Sequence, residues 1–457
     1  MCIAELPAVG YVGAMTDPPK RAIQRSARLG SLPVGFAGRA AAGWARRITG
    51  GDRDEIAAEL AIRNADQIFA VLGELKGGAM KFGQALSVYE AMIPNELAEP
   101  YQQALIKLQA NAPKMPAKDV QRVLAEQLGR NWHQRFAQFD ADEASAASIG
   151  QVHHAIWHDG REVAVKVQYP GADQALMSDL RTLQRFAKLL QVIVPGADVR
   201  ALLNELQDRM IEELDYSAEA DSQRTFAAAL ADDPKVRVPK VVASAPKVII
   251  TEWMPGRPLS EFAHRPAEDA EEQKLRDWIG ETVMELHFSS PARVGLLHSD
   301  PHHGNFRLLE DGRLGMIDYG AVTRLPDGIP RPLGRILRLA ADERADEMMA
   351  LLRAEGFVGL EDRVTAEDVM HYIGALANPL RVETFHYNRQ FMQAEGGRVT
   401  APGSSDFRTG RAMSLPPQYL MFLRVVAGWM SILAQIDCWV PSRRIVAEWV
   451  PGFTDYD

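Results

Sequence analysis

The feature that most restricts how this chain can fold is a pair of acidic motifs held a short, fixed distance apart. His298-Ser299-Asp300-Pro301-His302-His303-Gly304-Asn305 is followed thirteen residues later by Asp318-Tyr319-Gly320. Between them, Phe306 to Leu309 and Leu314 to Ile317 flank Asp311-Gly312, a strong hairpin signal. A hairpin returns the chain on itself, so both motifs must stand on one edge. Phosphoryl transfer needs such a set: a carboxylate to orient the attacking hydroxyl and oxygen donors to hold metal ions on the phosphates. Asp300 is the expected base or substrate-orienting group. Asn305 and Asp318 are the expected Mg²⁺ ligands. One rival reading makes the three histidines zinc ligands, but no cysteine accompanies them; another makes the segment a purely structural loop.

A second group lies upstream. Ile149 to His158 and Glu162 to Gln168 read as strands joined at Asp159-Gly160. In the second strand Val163, Val165 and Val167 face one way, and Ala164 and Lys166 the other. A loop of small residues precedes the hairpin, and Ala146, Ala147 and Ser148 from it are assigned to the cofactor. Loop, strand, turn, strand with Lys166 is the order in which kinases cover ATP and hold its α- and β-phosphates. Ala164 is placed to pack on adenine. Glu252 and Met254, just before a hinge at Pro255-Gly256, are also assigned to the cofactor site. In Glu213-Leu214-Asp215-Tyr216-Ser217-Ala218-Glu219, Asp215 and Glu219 share a helix face. Lys166 would pair with Glu219, completing the catalytic set with Asp300.

The remainder is read more coarsely. Helical periodicity runs from Asp54 to Leu108, with a further helix from Ala117 to Gln127, helix again from Ala172 to about Leu230, and mainly helix after residue 255. Val236 to Val242 and Val248 to Trp253 read as strands. Residues 395–410, rich in Gly, Ser and Pro, read as a mobile surface insertion. Val425 to Ile436, twelve largely apolar residues, is too short to span a membrane and reads as a buried helix. Seven basic residues and no acidic one lie between Lys20 and Gly50, a solvated tail or a membrane-surface contact. The formal charge of −9 argues against nucleic acid as a partner. Two cysteines, Cys2 and Cys438, rule out a disulfide framework and fit a reducing cytoplasm. Met1 and Met15 are both candidate starts.

Lys81-Phe82-Gly83-Gln84 adds the most specific signal. Together with Ala-Ala-Ser-Ile-Gly-Gln-Val-His, Val-Lys-Val-Gln-Tyr-Pro-Gly, Glu-x-Asp-Tyr and the Asp300 segment, it resembles the UbiB/AarF family of atypical kinases, called ADCK proteins in animals, over about Asp54 to Val440. The resemblance implies an α+β, bilobal protein-kinase-like fold with an N-terminal helical extension bearing a KxGQ motif and a mostly helical C-lobe. The expected divisions are 1–53 (basic segment), 54–130 (extension), 131–254 (N-lobe) and 255–457 (C-lobe). It implies ATP or ADP with Mg²⁺ as cofactors, with Lys81 and Gln84 facing the nucleotide and Glu213 and Asp215 as their partner motif. It further implies a lipid or quinone-precursor substrate and peripheral contact with the inner face of a membrane. Ser299 stands where many kinases carry an arginine that reads activation-loop phosphorylation. The alanine-rich loop resists close backbone approach to phosphates. Both features favour a small or lipid substrate, or ATP hydrolysis, over protein phosphorylation. An aminoglycoside- or choline-kinase-like phosphotransferase and a nucleotide-gated binding protein without chemistry are the alternatives.

Overall fold

The computed structural model describes residues 115–142, 145–147, 149–174, 177, 214–263, 265–359, 364–374, 376–400 and 404–455. The helix Ala117–Leu128 (α1) precedes four strands, Phe136–Phe139 (β1), Ser145–Ala146 (β2), Gly150–Trp157 (β3) and Glu162–Gln168 (β4). Tyr216–Ala229 (α2) follows, then Val236–Arg237 (β5), Val241–Ala245 (β6), Val248–Glu252 (β7) and Arg257–Pro258 (β8). Among the described residues the first sheet has the order β1-β3-β4-β7-β6, with β2 paired to β3.

This sheet has a dry face and a second face that carries Lys166 against α2. Val163, Val165 and Val167 are wholly buried with Val120, Val123 and Leu124 of α1. Three β-branched residues on alternate positions of β4 suit a pleated surface covered by a helix. Lys166 and Ala164 take the other face, opposite Ile249 and Thr251 of β7. Gly150 brings β3 against β4: a Cβ there would collide with the Val167 carbonyl.

The second core is helical. Ala270–Val294 (α3) is capped by Asp269, which accepts from the amides of Glu271 (3.0 Å) and Glu272 (2.8 Å), and ends at Gly295 with φ +75°. Leu296–His298 (β9), Phe306–Leu308 (β10), Leu314–Met316 (β11) and Val322–Arg324 (β12) carry the acidic motifs. β5, β11, β10 and β8 form one sheet, and β9 pairs with β12. Then come Arg331–Ala341 (α4), Ala345–Ala354 (α5), Ala366–Gly374 (α6), Phe385–Tyr387 (β13), Arg389–Thr400 (α7), Ser405–Ala412 (α8), Pro417–Ile436 (α9), Cys438–Val440 (β14) and Ser442–Trp449 (α10). Arg276, buried in α3, donates to the Ile436 carbonyl at 2.7 Å and to Glu272 at 3.1 Å, which bolts α3 to the end of α9.

Two expectations change. The single strand read from Val236 to Val242 is two strands in different sheets, β5 and β6, because Pro239 between them has no N–H to continue a ladder. Of the segment 395–410, read as a mobile insertion, the described residues 395–400 and 405–410 are helical. Arg398 pairs with Glu395 (2.7 Å) and with buried Asp406 (3.1 Å), and Ser404 caps α8 by accepting from the Phe407 amide (3.0 Å). No described helix is long and apolar enough to cross a membrane.

Candidate functional site

Lys166, near the middle of β4, is the hub. Its Nζ donates to both oxygens of Glu219 on α2, at 2.9 and 3.0 Å, and lies 3.5 Å from Asp318 Oδ2. The Tyr216 ring centroid is 5.0 Å away. Burial alone would pull the Lys166 pKa down. The carboxylates of Asp318 and Glu219 more than reverse this, so its pKa stands well above the ordinary lysine value and the ammonium is held charged. Asp215 and Glu219 do not share a helix face as expected: Asp215 is the extended N-cap of α2, accepting from the Ser217 amide at 2.9 Å, because its short carboxylate satisfies a first-turn N–H. This cap, with the Tyr216 amide donating to Pro246 at 3.1 Å, sets where Glu219 arrives. Gln168, buried at the end of β4, donates to the Leu214 carbonyl at 3.0 Å and fixes the same junction.

The acidic motifs are tied to one another through backbone groups. Asn305 Nδ2 donates to the Asp300 carbonyl at 2.9 Å, and the Ile317 amide donates to the Asn305 carbonyl at 3.0 Å. The Asp318 carboxylate accepts from the Gly320 amide at 2.9 Å. His298 Nε2 donates to the Asp318 carbonyl at 2.7 Å. The aromatic of Asp-Tyr-Gly is wholly buried. Tyr319 lies 5.3 Å from Phe226 of α2 and 6.1 Å from His298, and its hydroxyl donates to the Met316 carbonyl at 3.0 Å. The position of Asp318 is thus coupled to α2, which also carries Glu219.

The three histidines are engaged in other ways than zinc ligation. His302 Nδ1 accepts from the Gly304 amide at 3.0 Å, and His303 Nδ1 donates to Gln435 Oε1 of α9 at 3.1 Å. The two rings stack with centroids 4.3 Å apart. Among the described residues no group of three or more His, Cys, Asp or Glu side chains is placed to hold a metal. Asn305 has its amide nitrogen committed and an amide oxygen left, and Asp318 supplies a carboxylate. Two hard oxygen donors beside a lysine suit Mg²⁺ shared with phosphate groups better than they suit a softer metal.

Of the residues singled out from the sequence, Lys166, Glu219 and Asp318 meet directly. Asn305 and Asp300 join them through the loop. Ala164 shares the face of Lys166, and Ala147 closes its loop by donating from its amide to the Gly150 carbonyl at 2.9 Å. Ala146 pairs with Gln151 through β2. Glu252 turns its carboxylate to the Lys240 amide at 3.2 Å and Arg237 at 3.9 Å. Met254 is buried beside Gly315. Ser148, Lys81, Gln84, Glu213, the segment 1–53, residues 54–114 of the extension with their expected helix, and nearly all of the helix read from Ala172 up to residue 213 lie outside the described residues. Ser299 is sealed: its hydroxyl bonds the Leu297 carbonyl (3.1 Å) and Thr323 (2.7 Å).

Sequence reading passed over Tyr216, although it sits inside a motif weighed only for its acids. It also missed Gly428 and Gln435 of α9, which touch Pro301 and His303; no local signal marks them.

Residues 107–352 match the ABC1 atypical kinase-like domain. Among solved structures, the chain resembles Rv3197 of Mycobacterium tuberculosis, determined in complex with erythromycin, at 47% identity and a TM-score of 0.66, over 88% of this chain and 100% of that one. Among curated relatives, the mitochondrial atypical kinase COQ8B of Danio rerio is 31% identical over 68% of this chain and 49% of its own length. The mitochondrial atypical kinase coq-8 of Caenorhabditis elegans is 30% identical over 77% and 47% respectively. The chain therefore spans about half the length of these curated relatives.

Proposed function

Because the chain belongs to the ABC1 atypical kinase-like family, we propose that it is a Mg²⁺-dependent phosphotransferase that binds ATP or ADP at the site where Lys166 and Asp318 meet. The observation that carries this reading is one partly buried ammonium shared between Glu219 and Asp318, at 2.9 and 3.5 Å. Lys166 holds the α- and β-phosphates, and Glu219 keeps its ammonium aimed into the site. Bound Mg²⁺ would neutralise charge on the transferred phosphoryl group, held by Asn305 Oδ1 and the Asp318 carboxylate. Asp300 orients the attacking hydroxyl or water. Ala146, Ala147 and Ser148 cover the phosphates, Ala164 packs on adenine, and Glu252 and Met254 border the base at the hinge. Lys81 and Gln84 gate the nucleotide from the extension, with Glu213 and Asp215 as partners.

The reaction is that of a kinase or ATPase acting on a lipid-linked or isoprenoid-quinone-precursor substrate. The sealed Ser299, which leaves no arginine at that position to read loop phosphorylation, supports a small or lipid substrate over a protein. The basic stretch from Lys20 to Arg47 supports a cytoplasmic protein that touches the inner face of a membrane. The test is thermal stabilisation by MgATP and MgADP, together with phosphate release on anionic vesicles carrying quinone-precursor mimics, in the wild type and Asp300→Asn. The expected result is nucleotide-dependent stabilisation of both proteins and phosphate release by the wild type alone. Absence of nucleotide stabilisation, or release unaffected by Asp300→Asn, would refute the reading.

A second reading is favoured by the erythromycin complex of the Mycobacterium tuberculosis relative. In it, the site binds nucleotide to gate a large amphiphilic ligand and no phosphoryl group moves. Nucleotide-dependent ligand binding without phosphate release would select it.

A further inference from the structure

Phe306, Leu314 and Met316 are wholly buried in the helical core. Strand alternation therefore turns Arg307 and Gly315, directly opposed in the β10–β11 register, to the other face. That face looks at the linker between β7 and β8. A Cβ on Gly315 would stand 2.7 Å from Met254 Cε, and Arg307 Nη1 donates to the Gly256 carbonyl at 3.1 Å. Gly256 has φ +146°, and a Cβ there would press on the Leu308 carbonyl, so the linker lies tightly on the hairpin.

Arg307 is unusual among the arginines near the linker. Arg237 and Arg257 both have carboxylate partners. Among the described residues no carboxylate pairs with Arg307. A half-buried guanidinium with one carbonyl partner keeps several donors and an open plane for a ligand. The distance from Lys166 to the start of the linker is set by register. Lys166 opposes Ile249 and Val163 opposes Glu252, so the linker begins about three strand positions, roughly 10 Å, from Lys166. A nucleotide with its phosphates at Lys166 reaches the linker with its base and ribose.

We propose that Arg307 is a specificity-determining contact for the base-and-ribose end of a nucleotide at this site; the proposal rests on the nucleotide-binding reading above. The guanidinium offers a plane for a heteroaromatic ring and N–H donors for ring nitrogens and ribose oxygens. It does not serve the phosphates. The experiment is titration calorimetry on the full chain with Mg²⁺ and ADP, GDP or inorganic pyrophosphate, for the wild type, Arg307→Leu and Arg307→Lys. Arg307→Leu should weaken ADP binding about tenfold, the equivalent of about 1.4 kcal/mol, and change the ADP-to-GDP ratio. Pyrophosphate affinity should stay within about twofold of wild type. Arg307→Lys keeps a donor for the Gly256 carbonyl, hence the fold, but lacks the planar fork and should recover little ADP affinity. Equal weakening of ADP and pyrophosphate, or no change in either, would overturn the inference. A wild type that binds neither compound would overturn the nucleotide reading beneath it; one that binds ADP no tighter than pyrophosphate would overturn the role of Arg307 alone.

Discussion

At the residue scale, Asp318 carries a structural duty and a chemical one that substitution can separate. One oxygen accepts from the Gly320 amide, and the other faces Lys166. Asparagine keeps an acceptor for Gly320 but loses the charge that would bind Mg²⁺. Asp318→Asn should therefore fold with a melting temperature near wild type, and largely lose the stabilisation by MgATP. That stabilisation is worth about 2.7 kcal/mol at a hundredfold excess over Kd. A thermal shift unchanged by the mutation would remove Asp318 from the metal site. His287 makes a prediction about acid. Its Nδ1 donates to the Val283 carbonyl at 2.7 Å, and burial, with His298 nearby, lowers its pKa to about 3. Between there and about 6.5 the unfolded chain takes up a proton that the folded chain refuses, so stability falls as pH falls through that window. From pH 6.5 to 5 this amounts to about 2 kcal/mol. Urea unfolding at pH 7 and pH 5 should show a smaller acid loss in His287→Phe. Equal losses in both proteins would place the acid sensitivity elsewhere.

At the scale of elements, α9 stands out as the helix that braces the Asp300 loop. Gly428 packs on Pro301, Gln435 accepts from His303 Nδ1 at 3.1 Å, and Gln435 Nε2 donates to Ser431 at 3.2 Å. Positions 428, 431 and 435 lie on one face of the helix. A Cβ at 428 would collide with Pro301 Cγ, so Gly428→Ala must push the loop or the helix aside. Overpacking of this kind costs about 1–3 kcal/mol. Chemical denaturation should register that loss, and the double variant with Pro301→Ala should regain much of it, because the colliding ring carbon is gone. Additive losses in the double variant would mean that the strain arises elsewhere.

For the whole molecule, the relevant scale is the long-range field of its charge. The chain is acidic overall, at −9, yet its seven basic residues from Lys20 to Arg47 lie in one acid-free stretch. On the proposed membrane contact each would contribute about 1 kcal/mol near an anionic surface, and salt screens such charges beyond about 8 Å at physiological ionic strength. Sedimentation with anionic vesicles should be strong at low salt and weak at high salt. It should also be much reduced in a full-length variant with the seven residues changed to Gln. Salt-independent sedimentation, or equal sedimentation of that variant, would rule out this stretch as the membrane contact.

Much of the fold was legible because its signals are local. The alternation of Val163, Val165 and Val167 identified β4 and its dry face, and Asp159-Gly160 and Asp311-Gly312 marked the two hairpins, since turn chemistry depends only on adjacent residues. The spacing from Asp300 to Asp318 identified the loop–hairpin–loop that holds the acidic motifs. What sequence could not decide were pairings between distant segments. Whether Val236 to Val242 is one strand or two depends on which sheets lie on either side of Pro239. Whether residues 395–400 and 405–410 settle into packed helices depends on Arg398 reaching Asp406. The brace of Gly428 on Pro301 joins positions more than a hundred residues apart, and Arg307 acquires meaning only when β10 is laid beneath the linker. The physical reason is the same in each case. Backbone propensity is set within a few residues, whereas packing and ion pairing are set by whichever side chain the completed fold brings within a few ångströms.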